Sequence, residues 1–135
     1  MDILVIDGMG GGLGKAIIEH IIQAGINCNI VAVGTNATAT AAMLRAGANS
    51  CATGENAAKF NAKHADIIIG PLGIVFADAM FGEISPKMAK AVVKSSAHKI
   101  LIPVSKCNAT VLGAADKNLN EHFNEMLNLL KSFNA

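Results

Sequence analysis

Five glycines crowd seven positions near the start of the chain: Gly8, Gly10, Gly11, Gly12 and Gly14. They follow Asp7 at the end of an apolar run, Ile3-Leu4-Val5-Ile6, and precede Leu13, Ile17, Ile18, Ile21 and Ile22 at helical spacing. Buried strand, glycine turn and helix, in that order, bring backbone N–H groups and the positive end of a helix dipole up to a phosphate. Lys15, in the first turn of that helix, could pair with the same phosphate. Fewer side chains are suited to a reaction. Asp78 and Glu83 are two carboxylates following one expected strand, the groups that general acid–base work uses. Cys107 stands between Lys106 and Asn108, where a neighbouring ammonium favours the nucleophilic thiolate. Each has a plainer alternative: Asp7 capping the glycine turn, Lys15 exposed, Asp78 and Glu83 solubilising an apolar loop, Cys107 an inert buried thiol. No histidine falls at an expected strand end, so a Cys–His nucleophile has no support.

The glycine loop can be tested against known spacings. A P-loop places four residues between its first glycine and Gly-Lys, then a Ser or Thr for Mg²⁺. Here Gly8 lies too far from Gly14-Lys15 and Ala16 follows, so the ATPase pattern fails. The GxGxxG pattern also fails, because Leu13 stands where its third glycine belongs. Gly8, Gly12 and Gly14 do fit GxxxGxG, which is similar to the cofactor loop of the short-chain dehydrogenase/reductase family over about the first 15 residues. That family's catalytic YxxxK has no counterpart in a chain with no tyrosine. Its dehydrogenase chemistry is therefore not expected, although its type of cofactor is not excluded.

The elements that would position these groups alternate along the chain. The first helix is expected over Leu13–Ala24, closed by Gly25, and the second strand over Cys28–Val33. Thr38–Ala46 reads as helix, Asn49–Thr53 as a weak third strand, and a short helix follows to about Lys63. Asp66–Gly70 is a short continuous β-branched run, the fourth strand. Ile74–Phe81 suggests one or two helical turns. Ser85-Pro86 pairs an N-cap with a proline at the first helical position, opening a helix to about Ala97. Lys99–Val104 is the fifth strand and Ala109–Gly113 a candidate short extra one. Asp116 is expected to cap a final helix with Leu119, Phe123, Met126, Leu127 and Leu130 on one stripe. Such alternation implies an α/β fold: a three-layer, doubly wound parallel sheet of order 3-2-1-4-5, a minimal Rossmann-like domain spanning residues 1–135.

In open parallel sheets ligands bind beyond the carboxyl ends of the strands. Five segments fall there: Asp7 with the Gly8–Gly14 loop; Gly34-Thr35-Asn36; Thr53-Gly54-Glu55-Asn56; Gly70-Pro71-Leu72-Gly73; and Ser105-Lys106-Cys107-Asn108. The expected phosphate contacts are Gly8, Gly10, Gly11, Gly12, Leu13, Gly14 and Lys15. Thr35 and Asn36 would meet a ribose, while Gly54, Glu55, Asn56 and the Gly70–Gly73 turn would line the remaining cleft. An acidic residue ending the second strand would favour NAD. Its absence argues against NAD, without removing it, and leaves NADP, another nucleotide or a small phosphorylated metabolite. The cation NADP would want has one arginine candidate, Arg45, expected to face solvent on the following helix.

Composition narrows the classes of partner. At 135 residues the chain can bury about 68% of its unfolded surface. Its apolar share is 52%, and about 62% with the 13 glycines, against a typical 45–50%. That excess suits a sheet covered on both faces, or conceals a homo-oligomer interface. A net charge of +1 with no tryptophan or tyrosine offers nothing to nucleic acid or an anionic membrane. Three widely spaced cysteines make no metal-ligand pattern with the four histidines, so no metal is expected and reduced thiols fit the cytoplasm. The first strand starts too early for a leader, and the apolar run Ile67–Ala77, broken by Pro71, is too short to span a bilayer.

The stretches VIDGMGGGLGK, AVGTNATATAAMLRAGA, ATGEN, DIIIGPLGIVFAD, GEISPKMA and ILIPVSKCN resemble, over essentially the full length, an uncharacterised bacterial family known as a domain of unknown function. The resemblance implies a small Rossmann-like protein and no particular activity. Three readings follow from the residues: a nucleotide- or dinucleotide-binding protein, a small enzyme acting on a phosphorylated metabolite, or an oligomeric interaction module whose glycine loop is structural.

Overall fold

The computed structural model describes residues 1–104 and 108–134. Five parallel strands form one sheet: β1 (Asp2–Asp7), β2 (Asn29–Gly34), β3 (Ser50–Thr53), β4 (Ile67–Pro71) and β5 (His98–Ile102), in the order β3-β2-β1-β4-β5. This is the expected Rossmann-like α/β fold. The helices are α1 (Gly12–Gln23), α2 (Ala37–Ala46), α3 (Glu55–Ala62), α4 (Pro86–Lys94) and α5 (Leu119–Asn134), with a 3-10 turn over Leu72–Val75.

Strand β1 sits at the centre because its residues are apolar on both faces. Ile3 and Val5 point into one layer with Ile17, Ile18 and Ile21 of α1, Met43 of α2, and Phe123, Met126 and Leu130 of α5. Leu4 and Ile6 point into the other, with Ala58 and Ala62 of α3 and Met88, Ala89 and Val92 of α4. The two layers are what the period-2 alternation of a doubly covered strand requires. In register, Ile3 faces Ile30 on one side and Ile67 on the other, and Asp7 reaches Gly34. Thus the first glycine turn begins level with the end of β2.

Caps set most helix starts. Asn36 accepts from Ala39 N at the start of α2 (2.9 Å) and Ser85 from Met88 N at the start of α4 (3.2 Å), with Pro86 next, as its sequence signal implies. Helix α4 stops at Lys94, short of the expected Ala97. There the Ser95 backbone turns extended (ψ 143°) and its hydroxyl bonds Ala62 O and Ala97 N. Asp116 does not cap α5. Asn118 does, accepting from Glu121 N (2.9 Å) while Glu121 returns a longer bond to Asn118 N (3.4 Å), a reciprocal capping box.

Two further expectations change. Ala109–Gly113 is not a strand: Ala114 N bonds Val111 O, Lys117 N bonds Ala114 O, and Gly113 takes φ 86°, which makes successive turns. Ile74–Phe81 contributes only the end of the 3-10 turn. Beyond it, Asp78, Met80, Phe81 and Gly82 all have positive φ, which stops helix propagation.

Candidate functional site

The N-terminus of α1 is matched from within the chain. Asp7, 5% exposed, accepts from Gly8 N (2.8 Å) and from Gly14 N (2.7 Å). A carboxylate therefore already faces the positive end of the helix. Burial is the main influence on this group and raises its pKa. The Gly14 and Gly8 amides oppose that rise, and the charge of Glu83 adds to it. The plain reading of Asp7, as the cap of the glycine turn, describes its geometry.

The glycines of the loop divide into two kinds. A Cβ on Gly14 would lie 2.5 Å from Met43 Sδ and 2.9 Å from Asp7 Cβ. One on Gly8 would lie 2.6 Å from Thr35 Oγ1, and one on Gly11 would lie 2.7 Å from the Ala39 backbone. Gly11 also takes φ 74°. These three are glycine because the fold packs against them. Gly10 and Gly12 are different. Both are exposed, neither has positive φ, and an added Cβ would meet nothing within 4 Å. Their N–H groups meet no acceptor among the described residues.

Glu83 closes the site from the far side. Its Oε1 accepts from Thr35 Oγ1 (2.5 Å), Asn36 Nδ2 (2.8 Å) and Met9 N (3.0 Å). The Thr35 hydroxyl, followed by the Met9 amide, holds its pKa below the usual glutamate value. The segment after β4 is thereby tied to the end of β2 and to the glycine loop. Asn36 is fully engaged: its amide also donates to Met9 O (2.9 Å) while its oxygen caps α2. Thr35 and Asn36, expected to meet a ribose, thus direct their side chains at Glu83. The sequence singled out Glu83 as a carboxylate but held no sign of these three hydrogen bonds.

The other candidates lie further out. Gly54 N donates to Gly34 O (2.9 Å), Glu55 accepts from the Ser85 hydroxyl (2.5 Å), and Asn56 is exposed on α3. Gly70, Pro71 and Gly73 are buried, and a Cβ on Gly70 would lie 2.5 Å from Ile6 O, so the turn hugs β1. Leu72 alone of that turn is half-buried and lines an open cavity of about 460 Å³ with Pro103, Thr110 and His122. Lys15 is exposed and leans toward Glu19 (3.9 Å). Asp78 is exposed and lines a second open cavity of about 640 Å³ with Met9, Phe76, Phe81 and Asn108. Leu13 is half-buried. The Ser105, Lys106 and Cys107 candidates lie outside the described residues. Among the described residues no three His, Cys, Asp or Glu side chains gather as a metal site, and no helix is long and apolar enough to cross a membrane.

A family model described as "Domain of unknown function (DUF3842)" matches residues 2–134, so the chain belongs to that family. No curated protein matches it. Among solved structures, it is similar to the crystal structure of a dodecameric FMN-dependent Ubix-like decarboxylase from Escherichia coli O157:H7. The identity is 15% and the TM-score 0.53, over 100% of this chain and 96% of the other. At that identity the likeness is one of fold.

Proposed function

Starting from membership of a family with no assigned activity, we propose that this protein binds a phosphate-bearing nucleotide at the carboxyl edge of its sheet. The amides of Gly10 and Gly12 hold the phosphate in this reading. The observation that carries it is the pair of exposed glycines themselves. Neither packing nor backbone conformation requires them to lack a side chain, whereas a ligand approaching the backbone does. Open N–H groups at both supply the donors. Because Asp7 already serves the helix terminus, the phosphate sits on the outer rim of the loop, away from the buried carboxyl. NADP and NAD belong to the class considered, and FMN joins them because the decarboxylase of similar fold is FMN-dependent.

Thermal denaturation with NAD, NADP, FMN, FAD, ATP, GTP, coenzyme A and inorganic phosphate tests the reading. A ligand at 100 times its Kd stabilises the fold by about 2.7 kcal/mol. The expected result is a shift with at least one nucleotide that disappears in Gly12→Glu, whose Cβ meets nothing within 4 Å and whose unliganded melting temperature should stay close to wild type. No shift with any of them, or a shift that Gly12→Glu leaves unchanged, overturns it.

A second reading draws on Asp7. If the carboxylate capping α1 completes the turn, the loop is structural and the protein is an oligomeric module. The exposed Val111 and Leu112 beside the outer edge of β5 suit such contacts, and the decarboxylase of similar fold is dodecameric. Sedimentation showing a stable homo-oligomer, with no nucleotide shift, favours this reading over the first.

A further inference from the structure

Five non-glycine residues among those described have φ in the left-handed region: Met9 (51°), Asp78 (66°), Met80 (59°), Phe81 (56°) and Asn108 (53°). Such residues are a few per cent of any protein, so their number is ordinary. Their placement is not: all five line one open cavity of about 640 Å³. Conformations of this kind persist only where the surroundings enforce them, and they gather at ligand clamps. The enforcing bonds are present. Asp78 N donates to Ile84 O (2.7 Å), Gly82 N to Asp78 O (3.0 Å) and Ile84 N to Ala79 O (3.1 Å), while Glu83 ties the end of the segment to Met9. The segment is therefore a fixed shape.

That shape presents apolar side chains to water. Phe81 is 96% exposed, and Met9 and Phe76 are about 40% exposed. A bulky aromatic residue held outward in a conformation that asparagine or glycine would adopt more readily has no use in the free fold. The volume is that of a small-molecule site, and its lining is apolar apart from Asp78 and Asn108. Met9 belongs to this cavity and directly precedes Gly10, so the cavity opens onto the glycine loop.

We propose that the cavity bounded by Met9, Phe76, Met80 and Phe81 clasps the face of a flat heteroaromatic ring of the bound ligand. The inference rests on the reading that Gly10 and Gly12 hold the phosphate of the same molecule. Aromatic and thioether side chains suit the face of a heteroaromatic ring, and Asp78 or Asn108 can meet a polar group on its edge.

Calorimetric titration with riboflavin, FMN, adenosine and AMP separates the two claims, because each pair differs by one phosphate. The expected outcome is that riboflavin or adenosine, the phosphate-free (bare-ring) member of its pair, binds and that its phosphate ester binds at least tenfold tighter. Phe76→Asp and Phe81→Asn each weaken both members of that pair tenfold or more. Phe81→Asn also raises the melting temperature of the free protein, because asparagine accepts the left-handed backbone. Gly12→Glu weakens only the phosphate ester. If Gly12→Glu changes nothing while Phe76→Asp acts on both, the ring clasp stands and the phosphate reading falls. The clasp itself is overturned if no bare ring binds, or if bare-ring binding ignores both phenylalanine variants. It is equally overturned if sedimentation shows a dimer that Phe81→Asn dissolves, because the exposed ring then serves a second copy of the chain.

Discussion

Glu83 Oε1 lies 2.5 Å from Thr35 Oγ1, across 48 residues of sequence, and the same oxygen holds the Asn36 amide and the Met9 N–H. One carboxylate oxygen joins the glycine loop, the end of β2 and the segment after β4. Hydrogen bonds to an ionised acceptor are the stronger kind, and donors left without it lose more than the bond itself. Glu83→Ala is expected to destabilise the protein by about 2–3 kcal/mol in urea unfolding, and Glu83→Gln, which keeps an acceptor, by about 1 kcal/mol. Equal stability of Glu83→Ala and wild type would show that the three bonds count for nothing in solution.

Two carboxyl groups give opposite pH signs. Glu83 has its pKa lowered in the fold, first by Thr35 and then by the Met9 amide. The stability this lends is present above the ordinary value of 4.5 and is lost as pH falls through the lowered folded value. Asp7 has its pKa raised, chiefly by burial. Its contribution is complete below the ordinary value of 3.8 and is lost as pH rises through the raised folded value. Unfolding measured across a pH series should show Glu83→Gln flattening the acid limb and Asp7→Asn flattening the decline on the other side. A pH profile that Asp7→Asn leaves unchanged would rule out the shift at Asp7.

Neighbouring glycines should respond differently to one methyl group. Gly14→Ala places its Cβ against Met43 Sδ and Asp7 Cβ and is expected to cost about 1–3 kcal/mol. Gly12→Ala, at the first position of α1 with open space before it, should be neutral or stabilising by up to about 1 kcal/mol. Melting curves of the two variants decide this, and similar losses at both positions would contradict it.

The layout of the fold was legible because its signals are local and repeated. Ile67-Ile68-Ile69 could only be a buried strand, and Ser85-Pro86 marks the start of α4 by chemistry that needs no tertiary partner. Where two residues compete for one role, sequence is weaker. Asp116 and Asn118 both suit a cap, and Glu121, three residues beyond Asn118, decides between them. The least legible feature was the docking of Glu83. A lone carboxylate in a loop has no periodicity, and its partners Met9, Thr35 and Asn36 lie far away in sequence. The separation of Gly10 and Gly12 from their neighbours was hidden for the same reason: what crowds Gly14 is Met43, on another helix.

The central place of β1 bears on the order in which the chain is made. Its partner on one side, β2, follows within thirty residues, but its partner on the other side, β4, begins at Ile67, where the Asp66 carboxylate also takes the Asp2 N–H (2.8 Å). A growing chain that has completed β1, α1, β2, α2 and β3 therefore carries a first strand of buried aliphatic residues with one backbone edge unpaired. Open edges of that kind pair readily with other chains. Until β4 leaves the ribosome, the central strand of the finished sheet is an edge strand of the nascent one.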